Sequence, residues 1–231
     1  MTLRSAVLRS ARTLTPEVRE LTFAPDRPAP HSPGQWVSLK IPQGAETLAR
    51  SYSIASDARA DGAFDVAVTL VQGGPGSTFL HAMSPGEAIE VGDPMGFFTL
   101  PDPLDHPMLM VATGTGVAPM RAMLQRLARE GSPREVTLLL GVRTPADALY
   151  DDELRALARA APWFRYELTL SRPPEGWVGR SGYVQTHLAE LALPGCHAYV
   201  CGLNAMLKAV RVELKGSLGF TRERIHTERY D

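Results

Sequence analysis

The sequence has little cysteine: its 231 residues include only Cys196 and Cys201. Two thiolates cannot supply the four protein ligands of an iron–sulfur cluster. Their spacing from His187 and His197 also matches no zinc signature. We therefore expect no metal centre.

Long apolar runs and excess charge are also absent. Lysine and arginine number 24 against 25 aspartates and glutamates, which leaves a net charge of -1 and a pI near 6.6. Without a basic field we expect no binding to nucleic acid or to anionic membranes. The most apolar stretch, HPMLMVATGTGVAPM, is broken by glycine and proline, so no membrane insertion is expected. No secretory signal is recognisable, and a reducing cytoplasm is the expected compartment.

Up to about residue 100 the pattern is one of short strands and turns. The stretches GQWVSLKI, FDVAVTLV and EAIEVG are separated by the glycine- and proline-rich breaks QGGPG and SPGE. Several short strands at this spacing are typical of an antiparallel β-barrel. We predict a β-barrel domain over residues 1–100, followed by a proline-rich linker, PDPLDH, over 101–106.

From residue 107 to residue 231 strands alternate with helices. The apolar runs MLMVAT, EVTLLLG, FRYELTL and HAYVCG are predicted strands, and helices are predicted around DDELRALARAA and from about Tyr183 and Asn204. An earlier helix, which follows MLMVAT, has a polar face that carries Arg121, Gln125 and Arg129. This alternation predicts an α/β domain whose parallel sheet has helices on both faces.

Three of the predicted strands end in residues that could bind a ligand or take part in a reaction. Ligands of open parallel sheets bind at the carboxyl ends of the strands. ATGTGVAP has glycines and a proline suited to a first helical turn, which would make an anion site. It lacks the third glycine of the dinucleotide fingerprint and the lysine of a P-loop. An ordinary glycine turn before a helix explains this stretch nearly as well.

The other two strand ends are LSRPPEGWVGRSGYVQ and VCGLNAM. In the first, guanidinium and hydroxyl groups suit a phosphate monoester, although a solvated loop with incidental arginines is the simpler interpretation. In the second, Cys201 closes an apolar strand, where a buried thiol is usually inert packing.

Eight short stretches occur in a characteristic order along the chain. They are RSYSIAS, GGPGSTFL, DPMGFF, GTGVAP, LLLGVRTPADALYDDEL, SR…YVQT, CGLNAM and ERY. In order and spacing, and over essentially the whole chain, they resemble ferredoxin–NADP+ reductase-like flavoproteins. The resemblance implies an N-terminal antiparallel β-barrel flavin domain and a C-terminal α/β domain that binds NAD(P).

On the flavin side, the resemblance implies that Arg50 pairs with a flavin phosphate, Tyr52 packs against the isoalloxazine and Ser53 hydrogen-bonds near its N5. In a flat strand Ser53 would point away from the other two, so we expect a twist, a bulge or a flavin that wraps the strand end. Further flavin contacts implied are Val68, Thr69, Gly76, Ser77 and Thr78, the last three in a pyrophosphate loop at a helix start. A pyrophosphate site favours FAD, although FMN-binding relatives exist.

On the dinucleotide side, the resemblance places Thr115 and Gly116 at the pyrophosphate. The remaining NADP contacts that it implies are Arg143, Ser171, Arg172, Tyr183, Gln185, Gly202 and Leu203. Ser181 stands where plant-type members carry a lysine, and Arg180 beside it could compensate. NADPH is the predicted reductant, with NADH a possible one.

Hydride transfer from nicotinamide C4 to flavin N5 is the reaction that the resemblance implies. Cys201 would pack beside C4, Glu228 would hydrogen-bond toward it and relay a proton with Ser53, and Tyr230 would cover the flavin until nicotinamide displaces it. Asp231 extends the chain beyond this tyrosine, and its carboxylates could tune the exit of the ring.

We therefore expect a monomeric FAD-containing NAD(P)H reductase that delivers electrons to a small carrier such as ferredoxin or flavodoxin. Three alternatives remain: a free-flavin reductase, the reductase component of an oxygenase or larger complex, and a nucleotide sensor without turnover. A sensor would need none of Ser53, Cys201 and Glu228.

Overall fold

A computed structural model describes residues 2–230 of the chain. The chain divides into two compact units. One runs up to Leu100 and takes in Ala118–Arg126, and the other comprises Pro101–Val117 and the chain from Leu127 onward. The domain bounds 1–100 and 107–231 stay a prediction, and the proposed effect of Asp231 lies outside the described residues.

The first unit is built on a six-stranded antiparallel sheet. Its strands are β1 (Leu3–Thr15), β2 (Val18–Pro25), β3 (Trp36–Gln43), β4 (Glu46–Ser53), β5 (Phe64–Thr69) and β6 (Ala88–Gly92), in the order β4-β3-β6-β1-β2-β5. The two edges meet where Ile54 forms a bridge with Val66. This bridge removes the open edges, as closure of a barrel requires, and the predicted antiparallel barrel is confirmed.

Alternating side chains of this sheet form the core of the first unit. In β3, Val37, Leu39 and Ile41 are each no more than 1% exposed, because side chains two apart along a strand share one face. The single helix described between β5 and β6, α1 (Pro75–Ala82), adds the fully buried Leu80 to the same core. Burial of such aliphatic side chains is worth roughly 1.5–3 kcal/mol each and holds β3 and β4 in place.

The second unit is built on a six-stranded parallel sheet. Its strands are β7 (Met108–Thr113), β8 (Val136–Val142), β9 (Phe164–Leu170), β10 (Arg180–Ser181), β11 (His197–Gly202) and β12 (Ile225–Arg229), in the order β10-β9-β8-β7-β11-β12. Its helices are α2 (Val117–Glu130), α3 (Asp151–Ala160), α4 (Leu188–Leu191) and α5 (Asn204–Gly216), the middle of α2 belonging to the first unit. The predicted parallel α/β domain is confirmed.

Strand order reverses between β7 and β11. The chain moves outward from β7 through β8 and β9 to β10, and then returns to the other side of β7 as β11. The carboxyl ends of two strands that diverge in this way leave a crevice where ligands bind in open α/β sheets. The topology therefore brings together the turn after β7 and the end of β11.

The predicted helix from about Tyr183 begins where the sequence places it, but it is short and only half of it is α-helical. The chain forms a 3₁₀ turn over Val184–His187 with Tyr183 as the N-cap residue, and one α-helical turn, α4, follows directly. The β-branched residues Val184 and Thr186 disfavour α-helix, and Pro194 disfavours helical backbone at the residue before it. These residues account for the 3₁₀ start and for the short length of the helix.

A stack of aromatic rings lies at the amino-terminal ends of β11 and β12. The ring of His197 stacks on that of His106 with centroids 3.6 Å apart, and His197 Nδ1 lies 3.1 Å from His226 Nε2. Tyr199 packs on His226 with centroids 4.4 Å apart. Burial, then the neighbouring His106 and His226, and also Arg224, lower the pKa of His197 to about 4, against the opposing charge of Asp105.

We expect acid to weaken the second unit through this stack. When folding lowers the pKa of a histidine, the contribution of that histidine to the free energy of unfolding is complete above its ordinary pKa of about 6.5. The contribution is lost as the pH falls toward the lower pKa of the folded state. For His197 the loss spans pH 6.5 to about 4. The His197→Gln variant should therefore lose less stability than the parent between pH 7 and pH 4.5, measured as urea midpoints. The control is His187→Gln, which removes an imidazole outside the stack, and equal losses in parent and His197→Gln would contradict this expectation.

Candidate functional site

The strand that carries Arg50, Tyr52 and Ser53 is β4, an edge of the sheet order that pairs with β3. Ser53 is 7% exposed, Tyr52 is half-buried and Arg50 is exposed. Burial raises the pKa of Tyr52, against the opposing charge of Arg50, so its hydroxyl stays protonated at neutral pH. The faces alternate as in any strand, with Arg50 and Ser53 on opposite sides of the sheet.

The glycine-rich turn before α1 lies against Arg50. A β-carbon built on Gly76 would come within 3.3 Å of Arg50 Cγ and 3.1 Å of Ile41 Cδ1, so glycine lets the start of α1 pack closely against these side chains. The Arg50 guanidinium hydrogen-bonds to the Ala49 carbonyl, and no carboxylate pairs with it in the described part of the chain. Because the first amides of a helix have no intrahelical acceptor, this turn and Arg50 together fit a phosphate group.

The hydroxyl of Ser77 is used within this turn. Its Oγ accepts a hydrogen bond from the Val71 amide at 3.0 Å and donates to the Gly74 carbonyl at 3.1 Å. The hydroxyl therefore shapes the loop, and what Ser77 offers a phosphate is its backbone amide. Thr78 is exposed on the helix, while Val68 is buried and Thr69 half-buried at the end of β5.

At the switch point, the turn over residues 114–116 presses against the end of β11. A β-carbon on Gly116 would lie 2.7 Å from the carbonyl carbon of Cys201 and 3.0 Å from the Gly202 nitrogen. Gly202 has a φ of +152°, and a β-carbon there would collide with Thr113 Oγ1. The two glycines let the turn after β7 pack directly on the end of β11. The closely packed backbone of these two segments, here called the cradle, suits the close approach of a dinucleotide.

Sequence reasoning missed Thr113, the last residue of β7. Its Oγ1 is buried without a hydrogen-bond partner among residues 2–230. A buried hydroxyl without a partner is costly and points to an unplaced polar ligand or water. The threonine that opens TGTG is the signal that could have found it. The cradle and this hydroxyl together fit a dinucleotide at the turn.

Three of the four predicted catalytic residues, Cys201, Glu228 and Tyr230, come together at β11 and β12. Cys201 and Glu228 are direct partners in the parallel register, and the Tyr230 amide donates to the Gly202 carbonyl at 3.0 Å. Burial, then the Glu228 charge, raises the pKa of Cys201 well above its ordinary value, against an opposing side-chain hydrogen bond with Tyr230. The thiol is therefore neutral and acts as a packing group, not as a nucleophile.

Arg143 and Arg172 follow the ends of the adjacent strands β8 and β9. The Ser171 amide donates to the Val142 carbonyl and the Arg172 amide to the Arg143 carbonyl, each at 2.9 Å, so the ladder continues past both strands. Both arginines are exposed, and neither forms an ion pair with another described residue. Two unpaired guanidinium groups held on neighbouring strand ends suit a phosphate monoester.

Arg180 is placed differently from what the sequence suggested. Its Nε donates to Glu167 at 2.8 Å and its Nη1 to Glu190 at 2.6 Å, and these hydrogen bonds raise its pKa. An arginine already held by two carboxylates cannot replace the absent lysine without breaking those pairs. Arg180 is therefore left out of the phosphate site proposed below.

The remaining predicted dinucleotide contacts also follow the carboxyl ends of strands in the parallel sheet. Tyr183 is 67% and Leu203 61% exposed, whereas Thr115 and Gln185 are half-buried. An exposed aromatic ring and an exposed leucine give apolar surface that a bound nucleotide could cover.

Neither a membrane-spanning helix nor a metal-binding cluster is found in residues 2–230. No helix there is both long and apolar enough to cross a bilayer. Likewise, no three histidine, cysteine or acidic side chains in these residues are placed to hold a metal ion.

Comparison with known protein families assigns a family to each part of the chain. Residues 5–100 match the model of the oxidoreductase FAD-binding domain. Residues 110–212 match that of the oxidoreductase NAD-binding domain. The two families bind the two cofactors that the residues above fit.

Individual relatives extend this similarity along the whole chain. The chain is 43% identical to ferredoxin--NADP reductase B of Sorangium cellulosum, over 98% of this chain and 97% of that protein. It is 29% identical to the phenol hydroxylase P5 protein of Acinetobacter pittii, over 95% of this chain and 63% of that protein. The crystal structure of the Amycolatopsis cytochrome P450 reductase GcoB superposes with a TM-score of 0.88 at 28% identity, over 99% of this chain and 69% of that one.

Proposed function

Because the chain belongs to the ferredoxin–NADP+ reductase family of FAD- and NAD(P)-binding oxidoreductases, we propose that its reductant is NADPH and its acceptor a small redox protein such as ferredoxin or flavodoxin. The observation that carries this proposal is the end-to-end similarity to a ferredoxin--NADP reductase, which covers 98% of this chain and 97% of that protein. The unpaired Arg143 and Arg172 support the choice of NADPH.

FAD, when bound, supplies the redox chemistry: it takes up two electrons together as hydride and gives them up singly. Arg50 and the amides at the start of α1 neutralise and hold its phosphates. The uncharged phenol of Tyr52 would pack against the isoalloxazine ring of FAD. The hydroxyl of Ser53, a residue only 7% exposed, would donate to, or accept from, a nitrogen of the flavin ring.

The end of β11 orients the nicotinamide ring of NADPH. Gly116 and Gly202 let the backbone approach the dinucleotide, and the neutral thiol of Cys201 gives the ring an apolar contact. Glu228, the register partner of Cys201, offers a carboxylate that would accept a hydrogen bond beside the reacting carbon. Tyr230 occupies this edge of the sheet through its bond to Gly202 and must move when nicotinamide binds. Orientation of this kind, not acid–base chemistry, accounts for most of the rate.

A second candidate function is that of a reductase component in an oxygenase system. It is favoured by the similarity to the phenol hydroxylase P5 protein. This chain spans 63% of that protein. The two candidates differ in the partner and not in the chemistry of the flavin.

The test is to purify the protein, identify its flavin and titrate it with NADPH without oxygen. We expect a yellow protein with one FAD per chain, bleached by one equivalent of NADPH, that reduces ferredoxin or flavodoxin in steady state. The matched control is NADH at the same concentration, which should bleach the flavin at lower affinity.

Each other outcome selects one alternative. A colourless protein that reduces added FMN would indicate a free-flavin reductase. Reduction of an oxygenase carrier alone would support the second candidate. Nucleotide binding without any flavin reduction would leave only the sensor and contradict the proposal.

A further inference from the structure

Arg121, on α2, is a buried arginine for which the proposed chemistry has no use. It is only 6% exposed and belongs with the first unit. Its Nη1 donates to the Ala55 carbonyl at 2.8 Å and lies 3.2 Å from Glu20 Oε2 and 3.3 Å from Asp65 Oδ2. The sequence had assigned this residue to a polar helix face, so its burial needs a reason.

Stability alone is a weak reason for this burial. A buried ion pair often contributes no more than apolar residues of the same volume would. Of the distances given above for Arg121 Nη1, the one to the Ala55 carbonyl is shorter than those to Glu20 and Asp65. The two carboxylates balance the charge of the arginine, and its Nη1 also donates a hydrogen bond to the backbone at Ala55.

Asp65 is suited to hold Arg121 in this direction. Burial alone would raise the pKa of Asp65, but the hydrogen bonds and charge of Arg59, with Thr22 and Arg121, outweigh it and lower the pKa. Arg59 binds both carboxylate oxygens, at 2.9 and 2.7 Å. Asp65 is therefore ionised at neutral pH and fixed in place, so that it orients the arginine.

Ala55 lies in the segment 54–57, directly after β4 and Ser53, where regular pairing with β3 has ended. The Ala55 amide donates to the Asp65 carbonyl at 2.8 Å, and the Ser56 carbonyl is 3.1 Å from His31 Nε2. The Asp57 amide donates to Gln125 Oε1 at 3.0 Å. Backbone pairing with β5 and side chains from other parts of the unit thus hold this segment after β4 ends. Two of these side chains, Arg121 and Gln125, come from successive turns of α2.

We propose that Arg121 is a positioning residue for hydride transfer, which acts by fixing the Ala55 carbonyl and thereby the side chain of Ser53. Gln125 reinforces it through Asp57. The inference rests on the role proposed for Ser53 at the flavin. Arg121 itself contacts neither the reacting atoms nor the coenzyme and acts only through Ala55 and Ser53.

The test measures the single-turnover rate of flavin reduction by NADPH, per bound FAD, in Arg121→Met, with and without Ser53→Ala. Arg121→Met should slow reduction about tenfold or more, with the NADPH dissociation constant unchanged within twofold. In the Ser53→Ala background the same substitution should have little further effect, because coupled residues are not additive. Arg121→Lys, which keeps the charge without the fork, should recover part of the rate.

The matched control is Arg129→Met on the same helix, whose side chain is 54% exposed and which should leave the rate unchanged. Should Arg121→Met fail to fold, Gln125→Leu, which removes the acceptor of the Asp57 amide, takes its place with a smaller loss expected.

Two results would overturn the inference in distinguishable ways. If Ser53→Ala alone leaves the rate unchanged, the role of Ser53 fails and the positioning role fails with it. If Ser53→Ala slows reduction and Arg121→Met slows it further by its full factor, only the positioning role fails. Loss of thermal stability in Arg121→Met with a normal rate would likewise make Arg121 purely structural.

Discussion

Replacing both Arg143 and Arg172 with alanine should raise the Michaelis constant for NADPH about a hundredfold and leave that for NADH within twofold. A hydrogen bond to a charged group contributes about 1.5–3 kcal/mol, and 1.4 kcal/mol is a factor of ten, so each arginine accounts for roughly tenfold or more. The effect is confined to NADPH because only its 2′-phosphate would engage the two guanidinium groups. Steady-state kinetics with both coenzymes measures it directly.

Arg180→Ala is the informative control for this prediction. Arg180 sits beside the same strand end but is held by Glu167 and Glu190. Arg180→Ala should therefore change the Michaelis constants for NADPH and NADH by the same factor. Equal losses for NADPH and NADH in the double variant would contradict the phosphate site, and a loss in Arg180→Ala that is selective for NADPH would return that arginine to it.

Strands of the parallel sheet could be predicted from the sequence almost to the residue. MLMVAT, FRYELTL and HAYVCG are β7, β9 and β11 with the same bounds. Strands buried on both faces are rich in apolar residues. MLMVAT is such a run, bounded by Pro107 and Gly114. These strands are specified by their local sequence, so the sequence alone predicts them.

The polar contacts of the site could not be predicted in this way. Arg121 was placed on a polar face of α2, yet its partners Glu20 and Asp65 lie 101 and 56 positions away in the chain. Arg180 was proposed as a phosphate ligand because the sequence does not show that folding pairs it with Glu167. Helical periodicity reports which residues share a face, and the partner of that face is set by the tertiary fold.

The same limit applies to the end of the chain. ERY served only as a stretch that carries the family resemblance and no strand was predicted there, whereas the structure makes Ile225–Arg229 a sixth strand in register with β11. Its short, mixed sequence has no strand pattern of its own. Pairing with a pre-formed edge supplies what the sequence lacks, and that pairing sets Glu228 opposite Cys201.

Replacing Gly116 with alanine should abolish most flavin reduction by either coenzyme while FAD remains bound. The added β-carbon would lie 2.7 Å from the Cys201 carbonyl carbon and 3.0 Å from the Gly202 nitrogen, and neither backbone atom can give way as a side chain would. Such overpacking costs about 1–3 kcal/mol. A displacement of about 1 Å at a reacting group can cost about a hundredfold in rate.

This prediction separates the orientation of nicotinamide from the recognition of the phosphate. The Gly116 variant should lose kcat with NADPH and NADH alike, in contrast to the arginine variants, which discriminate between the two. Gly216→Ala is the control, because a β-carbon there meets nothing within 4 Å and substitution near a helix end should leave activity unchanged. The added β-carbon would push the turn after β7 away from the end of β11. A folded, FAD-loaded Gly116→Ala protein with the parent rate would therefore show that this turn does not position the dinucleotide.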